Sequence, residues 1–357
     1  MKSWLRVFAG IALAAIFISS AIYLRRPPDP IFEGRHASEW ANDLLSLDYS
    51  VRGEAQTALK IMGAAAVPQL AVLLEERDAP WEKHLVRLDS ILGFLNYRSR
   101  NATVCQFRAA EMLGLLGTKA SPAIPQLIKV LAMDQSSAEA ERALLRIGPA
   151  SIEYLLRALK SKDAPIRQKS ARLLRDFAPL ERSAIDPLIT ASRDEIPAVR
   201  KEAALSLGTF RPAPDAIVAA LLRLTSDENE PVRAAAFQSI GKAAGANEKV
   251  RAALARGLSD GSPVVELEAA KALWKLQPDR DVIVPALIRI LSTKERWQAA
   301  YALGEMGPAA AASVTALVNA LEAEEVPRPF PTPPTPALAL GKIGGPPIEG
   351  LPPLLVD

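Results

Sequence analysis

A leucine or isoleucine returns seven positions after a recognisable starting slot nine times along this chain: Leu59, Leu113, Leu144, Leu174, Leu207, Ile240, Leu273, Leu303 and Leu340. The slots are Arg52, Gln106, Ser137, Arg167, Arg200, Arg233, Glu266, Arg296 and, more weakly, Pro333. Successive intervals are 54, 31, 30, 33, 33, 33, 30 and 37 residues, so only the first is out of line. A unit this short cannot bury its own apolar face. Neighbouring copies must stack, each covering the next, to make a continuous core.

The first copy, VRGEAQTALKIMGAAAVPQLAVLLEERD at residues 51–78, shows what the unit is. Ala55, Ala58, Leu59 and Met62 keep the three-and-four spacing of one helix face. Gly63 ends that helix, Pro68 suits the first turn of the next, and Leu70, Leu73 and Leu74 stripe the second helix. Each copy therefore reads as a helical hairpin. Aromatic residues are 5% of the chain against 49% apolar residues overall, which suits helices packed through small side chains rather than a sandwich or barrel. The expected fold is all-α, an α-solenoid.

Turn carboxylates recur with the repeat. Asp194, Asp227 and Asp260 stand six residues before a slot, and Asp48 and Asp163 stand four before one. One reading is a charged ligand surface. The other, favoured because the pattern recurs at repeat spacing whereas a binding site is local, is an inter-repeat ladder in which each Arg bridges turn carboxylates.

The formal charge of +3 is located mostly at one end, since Lys2, Arg6, Arg25 and Arg26 all lie ahead of Pro27, in a stretch that holds no acid. Removing these four from 43 basic residues leaves 39 against 40 acidic, a nearly neutral body without the electrostatic footprint of a nucleic-acid binder. Cys105 is the only cysteine, so no internal disulfide, Cys-x-x-Cys site or thiolate zinc cluster is available, and it reads as a small packing residue at the start of a helix. Asn101-Ala102-Thr103 matches a glycosylation acceptor, a pattern short enough to arise by chance.

Val7 to Leu24 is an uncharged run, flanked by Lys2 and Arg6 on one side and Arg25-Arg26-Pro27-Pro28 on the other. As a helix it would span about 27 Å, just short of a hydrocarbon core of about 30 Å, with Trp4 and Tyr23 near its ends. It is expected to be a single-pass membrane anchor. Ser19 and Ala21 are also spaced as a cleavage site needs, so a removed signal peptide, which would leave a secreted protein, stays open. The charge on the two sides is balanced; an extracytoplasmic, periplasmic body is the preferred orientation.

The frame VR-x-x-A-x-x-A-L-x-x-x-G, with its AVPQL and AIPQL continuations, resembles the HEAT-like repeats of the phycobilisome-lyase type. The opening FEGRHASEWANDL, residues 32–44, resembles the start of bacterial membrane-anchored HEAT-repeat proteins. The resemblance implies a right-handed superhelix of antiparallel helix pairs with a concave face for protein contacts, and no conserved chemistry. On this reading residues 1–26 are the anchor, 27–37 a linker, 38–325 the repeat body, 326–336 a Pro-rich loop and 337–357 a partial terminal repeat.

Three departures from the array stand out. Ser38 is expected to cap a helix striped by Trp40, Leu44 and Leu47 that closes the N-terminal end of the core, with Trp40 as a plug. Residues 79–104 form an insertion in which Leu85, Leu88, Ile91, Leu92 and Leu95 predict a further amphipathic helix, and His84 lies there without a partner at ligand spacing. VPRPFPTPPTP, residues 326–336, is too rich in proline for a helix and reads as a stiff extended loop.

The chain shows no metal motif, Walker loop, dinucleotide fingerprint or nucleophile elbow, and its two histidines, His36 and His84, cannot supply a His-rich site. Di-iron HEAT-repeat hydroxylases use paired His-Glu dipeptides, and this sequence has none. The expected function is therefore a non-catalytic scaffold for an unidentified protein partner, without cofactor, metal or nucleic acid. A phycobilin-lyase-like role and a purely structural envelope role are the alternatives. If the second helices line the concave face, one outward column reads Val72, Lys129, Arg157, Thr190, Ala220, Arg256, Arg289 and Asn319, and its neighbour begins Gln69, Gln126 and Tyr154. Tyr154 and Arg157 are candidate hot spots for an acidic or extended segment; a solvated helix face is the plain alternative.

Overall fold

The computed structural model describes residues 27–77, 101–133, 135–177, 182–245, 247–276, 279–322 and 335–344. The expected anchor at 1–26, nearly all of the insertion and of the Pro-rich loop, and the end of the terminal repeat lie outside the described residues. The chain divides into two compact units, Met1–Tyr154 and Leu155–Asp357.

The N-terminal unit opens with a short antiparallel hairpin, β1 (Ile31–Phe32) and β2 (Arg35–His36), turning through Glu33 and Gly34 at φ 50° and 75°. Helix α1 (Ala37–Asp43) follows directly. Trp40 is 6% exposed and donates its Nε1–H to the Phe32 carbonyl at 3.2 Å, so it plugs the end of the core as the spacing predicts. Two details differ. The helix starts earlier than expected: His36 is its N-cap, with its backbone N–H on Glu39 Oε2 at 2.7 Å, while Ser38 is held from outside by the Asp29 carboxylate. Leu47 lies beyond the helix and is 94% exposed, so the apolar stripe ends at the buried Leu44.

Two full hairpins and the start of a third complete this unit: α2 (Tyr49–Met62) with α3 (Val67–Leu74), α4 (Ala102–Leu116) with α5 (Ile124–Val130), then α6 (Ser137–Ile147). The first helices end at Gly63, Gly117 and Gly148, whose φ values of 58°, 57° and 84° lie where a side chain would be strained. A short 3-10 turn follows each. Tyr49–Leu74 has an 18-residue window of mean hydropathy 1.6, enough by composition to cross a membrane, but the turn at Gly63 folds it into a hairpin with Leu59, Leu70 and Leu74 buried. Ala102 to Val104, assigned to the insertion by spacing, belong to α4, and Asn101 caps it by accepting from the Val104 N–H at 3.2 Å. Cys105 is buried in that helix.

Helix α7 (Ile152–Ala158) carries the boundary between the units. In the C-terminal unit the first helices α8 (Ala164–Phe177), α10 (Pro197–Leu207), α12 (Glu230–Ala243) and α14 (Pro263–Leu276) pack side by side in chain order. Their partners are α9 (Ile185–Ala191), α11 (Asp215–Leu224), α13 (Glu248–Gly257) and α15 (Arg280–Ile290). Then come α16 (Arg296–Met306), α17 (Val314–Glu322) and α18 (Thr335–Ile343). Thr335 and Pro336, expected in the Pro-rich loop, start α18, where a proline in the first turn has no N–H bond to lose.

All nine repeat leucines and isoleucines are buried; the most exposed, Leu273, is at 6%. Small residues set how closely successive first helices approach. A Cβ placed on Gly208 would stand 2.9 Å from the Ser239 Cα, and one on Gly241 would stand 2.9 Å from the Ala272 Cα. Gly114 and Gly304 meet Ala143 and Ala339 in the same way at 3.2 and 3.0 Å. In each case the glycine eight places after a slot faces the residue six places after the next slot, so the contact repeats with the sequence.

Candidate functional site

The slot residues hold the loops together rather than facing a ligand. Arg167, Arg200 and Arg233 each place Nε and Nη2 on both oxygens of an aspartate 27 residues on, in the loop of the next hairpin: Asp194 at 2.7 and 2.9 Å, Asp227 at 2.8 and 2.8 Å, Asp260 at 2.9 and 2.7 Å. Nη1 of each turns back to two carbonyl oxygens of its own preceding loop, as Arg200 does to Asp194 and Glu195 at 3.0 and 3.1 Å. The ladder is as expected at Arg167, Arg200 and Arg233, but it does not extend to the other turn carboxylates: Asp48 accepts from the Ser50 N–H at 2.8 Å, Arg52 donates to the Ser46 carbonyl at 2.6 Å, and among the described residues no arginine pairs with the Asp163 carboxylate. Each of the three arginines pairs with the carboxylate that follows it by a repeat, and Arg200 and Arg233 meet the aspartate six places before them only through the backbone carbonyl.

These pairs are nearly out of solvent, with Arg200 and Asp227 side chains at 10% and 9% exposure. Burial opposes ionisation of Asp194 and Asp227, but the hydrogen bonds from Arg167 or Arg200 and from the amides of Ile196 or Asn229 outweigh it. Both carboxyls sit below their ordinary value. The hydrogen bond it donates to the aspartate raises each arginine above its own, against the cost of burial. A neutral rung appears in the N-terminal unit. Gln106 donates Nε2–H to the Glu76 carbonyl at 3.0 Å, and its Oε1 accepts from Ser136 Oγ at 2.8 Å. The charged ladder stops where the next slot is Glu266, which accepts from the Gly261 N–H at 3.2 Å in place of donating to a carbonyl.

The outward column on the second helices is the candidate binding surface. In the C-terminal unit Arg157, Thr190, Arg256, Arg289 and Asn319 are all exposed, as the spacing predicts. Ala220 is not: it is 7% exposed, and the exposed member of the column on α11 is Arg223. The segment Gly208 to Pro214 separates α10 from α11, and it shifts the second helix so that Arg223 falls in line. Arg157, Thr190, Arg223, Arg256 and Arg289 then follow one another at a constant interval, the same as that between the slots Arg167, Arg200 and Arg233. A shared contact marks the register. Arg223 donates from Nη2 to the Ser192 carbonyl at 2.9 Å, and Arg289 donates from Nη2 to the Leu258 carbonyl at 2.8 Å, each 31 residues back.

The column is unevenly compensated. Arg289 also meets Glu266 at 3.3 Å. Arg256 has no carboxylate partner among the described residues. Burial pushes the Arg223 guanidinium below its ordinary value, and repulsion from Arg193 and Arg200 adds to this against the attraction of Asp227. It stays charged. Arg193 and Arg200 thus face Arg223 with like charge, and Asp227 opposes them.

The members in the N-terminal unit are less available. Gln69 is half-buried and donates Nε2–H to the Pro27 and Pro28 carbonyls at 3.3 and 3.0 Å, so the chain's own linker occupies it. Gln126 and Tyr154 are half-buried, and Lys129 is exposed but paired with Glu75 at 3.2 Å. Val72 is 44% exposed. Among the described residues no group of three or more His, Cys, Asp or Glu side chains is placed to hold a metal ion.

Stacked helical hairpins with a repeating Arg–Asp clamp define a helical repeat protein. Residues 152–241 and 185–274 each match the family model described as HEAT repeats. No curated protein matches the chain. Among solved structures, an engineered protein is similar at 22% identity over 53% of this chain and 93% of its own, with a TM-score of 0.33. Human deoxyhypusine hydroxylase in complex with glycerol is similar at 19% identity over 86% of this chain and 96% of its own, with a TM-score of 0.28.

Proposed function

We propose that this chain is a non-catalytic protein-interaction scaffold whose C-terminal unit receives an acidic segment of a partner protein along Arg157, Arg223, Arg256 and Arg289, and whose N-terminal apolar run tethers it to a membrane. The observation that carries the reading is the column itself. Four arginines stand at exposed positions separated by whole repeats, while the arginines of the ladder are buried in pairs. Structural pairing therefore accounts for the ladder and leaves Arg256 with charge to offer. An extended acidic segment lying along the second helices would meet one guanidinium in most repeats, each able to take a carboxylate side-on.

The test is fluorescence polarisation of a labelled glutamate-rich peptide against the whole protein in detergent, at about 50 and 200 mM salt. The wild type binds with an affinity that falls as salt rises. The variant Arg157→Glu, Arg223→Glu, Arg256→Glu melts within a few degrees of wild type and loses the peptide. Equal binding by the variant removes this face as the site. The tether is read separately, by alkaline extraction of native membranes. A chain that stays in the pellet is spanning, and one released with the peripheral proteins has no anchor.

A further inference from the structure

Internal repeats of the C-terminal unit bury one helix edge against the hairpin before them, and they satisfy it in a regular way. Two places after the slot, Glu202 takes Arg175 of the preceding first helix at 3.3 Å and is left 11% exposed. Six places after the slot, Ser239 and Ala272 fit against Gly208 and Gly241 of the preceding helix. Each internal edge thus receives a cation or close cover from its predecessor.

The first hairpin carries the same edge, as Glu54 and Ala58 on α2, but among the described residues no full hairpin precedes it. Helix α1 and the β-hairpin cover part of it. What remains is a cleft of about 460 Å³ between Phe32, Glu33 and Trp40 on one wall and Tyr49, Glu54 and Ile61 on the other. Ala58 lies in its floor, 4% exposed, while Ile61 and Tyr49 stand 62% and 84% exposed on its rim. Gly53, near the start of α2, has nothing within 4 Å of where a side chain would begin, so the helix leaves the cleft open.

Its charge is also incomplete. Among the described residues neither Glu33 nor Glu54 has a cationic partner, whereas the neighbouring arginines are engaged. Arg35 pairs with Asp43 at 2.6 Å and lies 4.0 Å from the Trp40 ring; Arg52 donates to the Ser46 carbonyl at 2.6 Å and lies 4.3 Å from the Tyr49 ring.

The geometry points to a binding site here that is independent of the arginine column: the cleft docks a partner-protein segment that presents a lysine or arginine beside an apolar side chain. The aliphatic stem of the cation lies along Tyr49 and Ile61, its head reaches Glu33 and Glu54, and the apolar neighbour covers Ala58. The segment supplies what a preceding repeat supplies inside the stack. Two carboxylates select against an acidic segment, the kind proposed for the column in the C-terminal unit, so the two sites do not compete for one ligand.

The experiment measures polarisation of a fluorescein-labelled Leu-Lys-Leu-Lys-Gly peptide, and of its Leu-Glu-Leu-Glu-Gly counterpart, against the whole protein at several protein concentrations. The lysine peptide is expected to saturate, and the glutamate peptide to show no binding that the cleft variants alter. Glu33→Gln with Glu54→Gln, and separately Ile61→Ser, are expected to weaken the lysine peptide at least tenfold with unchanged melting, while Arg223→Glu with Arg256→Glu leaves it unaltered. No binding by the wild type, or equal binding by the cleft variants, overturns the proposal. So does sedimentation showing that Glu54→Gln dissolves a self-associated species, which assigns the cleft to a second copy of the chain.

Discussion

Arg200 takes Asp227 side-on, Nε and Nη2 each 2.8 Å from a carboxylate oxygen, although the two stand 27 residues apart. The separation is one repeat interval less the six places by which each aspartate precedes its own slot. Because Arg200 also donates to the Asp194 and Glu195 carbonyls, one guanidinium ties its own loop to the next. The relation recurs from Arg167 to Asp194 and from Arg233 to Asp260, so the angle between successive hairpins is fixed by planar, bidentate pairing rather than by apolar contact alone.

Removing one partner leaves a nearly buried charge uncompensated. Asp227→Ala is expected to destabilise the C-terminal unit by about 3 kcal/mol. Arg200→Met with Asp227→Leu, which removes both charges, should recover most of that loss. Urea denaturation of the three proteins checks it; a double variant no more stable than Asp227→Ala would show that the loss does not come from an unpaired buried charge.

The same carboxylates set an acid limit. Asp194 and Asp227 have folded-state values below their unfolded ones, so their contribution is present above the unfolded value of about 4 and is lost as pH falls through the folded value. Stability attributable to them should be level from pH 7 to about 5 and decline below about 4. Melting curves across this range, compared with an Asp194→Asn, Asp227→Asn variant whose decline is shallower, test the assignment.

Close helix approach depends on missing side chains. Gly241→Ala would set a Cβ 2.9 Å from the Ala272 Cα, a backbone atom that cannot rotate away, and is expected to cost about 1–3 kcal/mol. Gly53→Ala meets nothing within 4 Å inside helix α2 and should raise stability by about 0.5–1 kcal/mol. Opposite signs for the two substitutions in thermal melts are the outcome to look for.

The neutral rung makes a different demand. Gln106→Leu leaves the Ser136 hydroxyl, 1% exposed as a residue, without its acceptor, and should cost about 1–3 kcal/mol. Pairing it with Ser136→Ala should return part of the loss, which a double-mutant cycle by denaturation would measure.

The hairpins, the boundary at Gly63, the nine buried repeat positions and the existence of an Arg–Asp ladder were all legible in the sequence, because each follows from a spacing. Three details were not. Ser38 satisfies the residue preference of an N-cap, yet Asp29, nine places back, takes its hydroxyl and its amide, which moves the cap to His36. Ala220 fits an outward position by counting from the slot, but the loop Gly208–Pro214 is longer than its counterpart between α2 and α3. Helix α11 carries Ile217, Val218, Leu221, Leu222 and Leu224, enough apolar residues to satisfy two registers. The serine partner of Gln106 carries no charge and so left no signal in a search for carboxylates.

What the sequence alone determined is periodic: a residue's role repeats with its place in the unit, so composition at that place predicts burial, turn and pairing. What only the tertiary structure decided is which repeat each side chain reaches. Arg200 could meet the aspartate six places before it or the one a repeat further on, and the sequence contains both. The choice is made by the side-by-side packing of neighbouring first helices, which brings the next loop within reach of the guanidinium's fork. The open cleft at Glu54 has the same origin, since this edge is left open where no earlier hairpin among the described residues covers it.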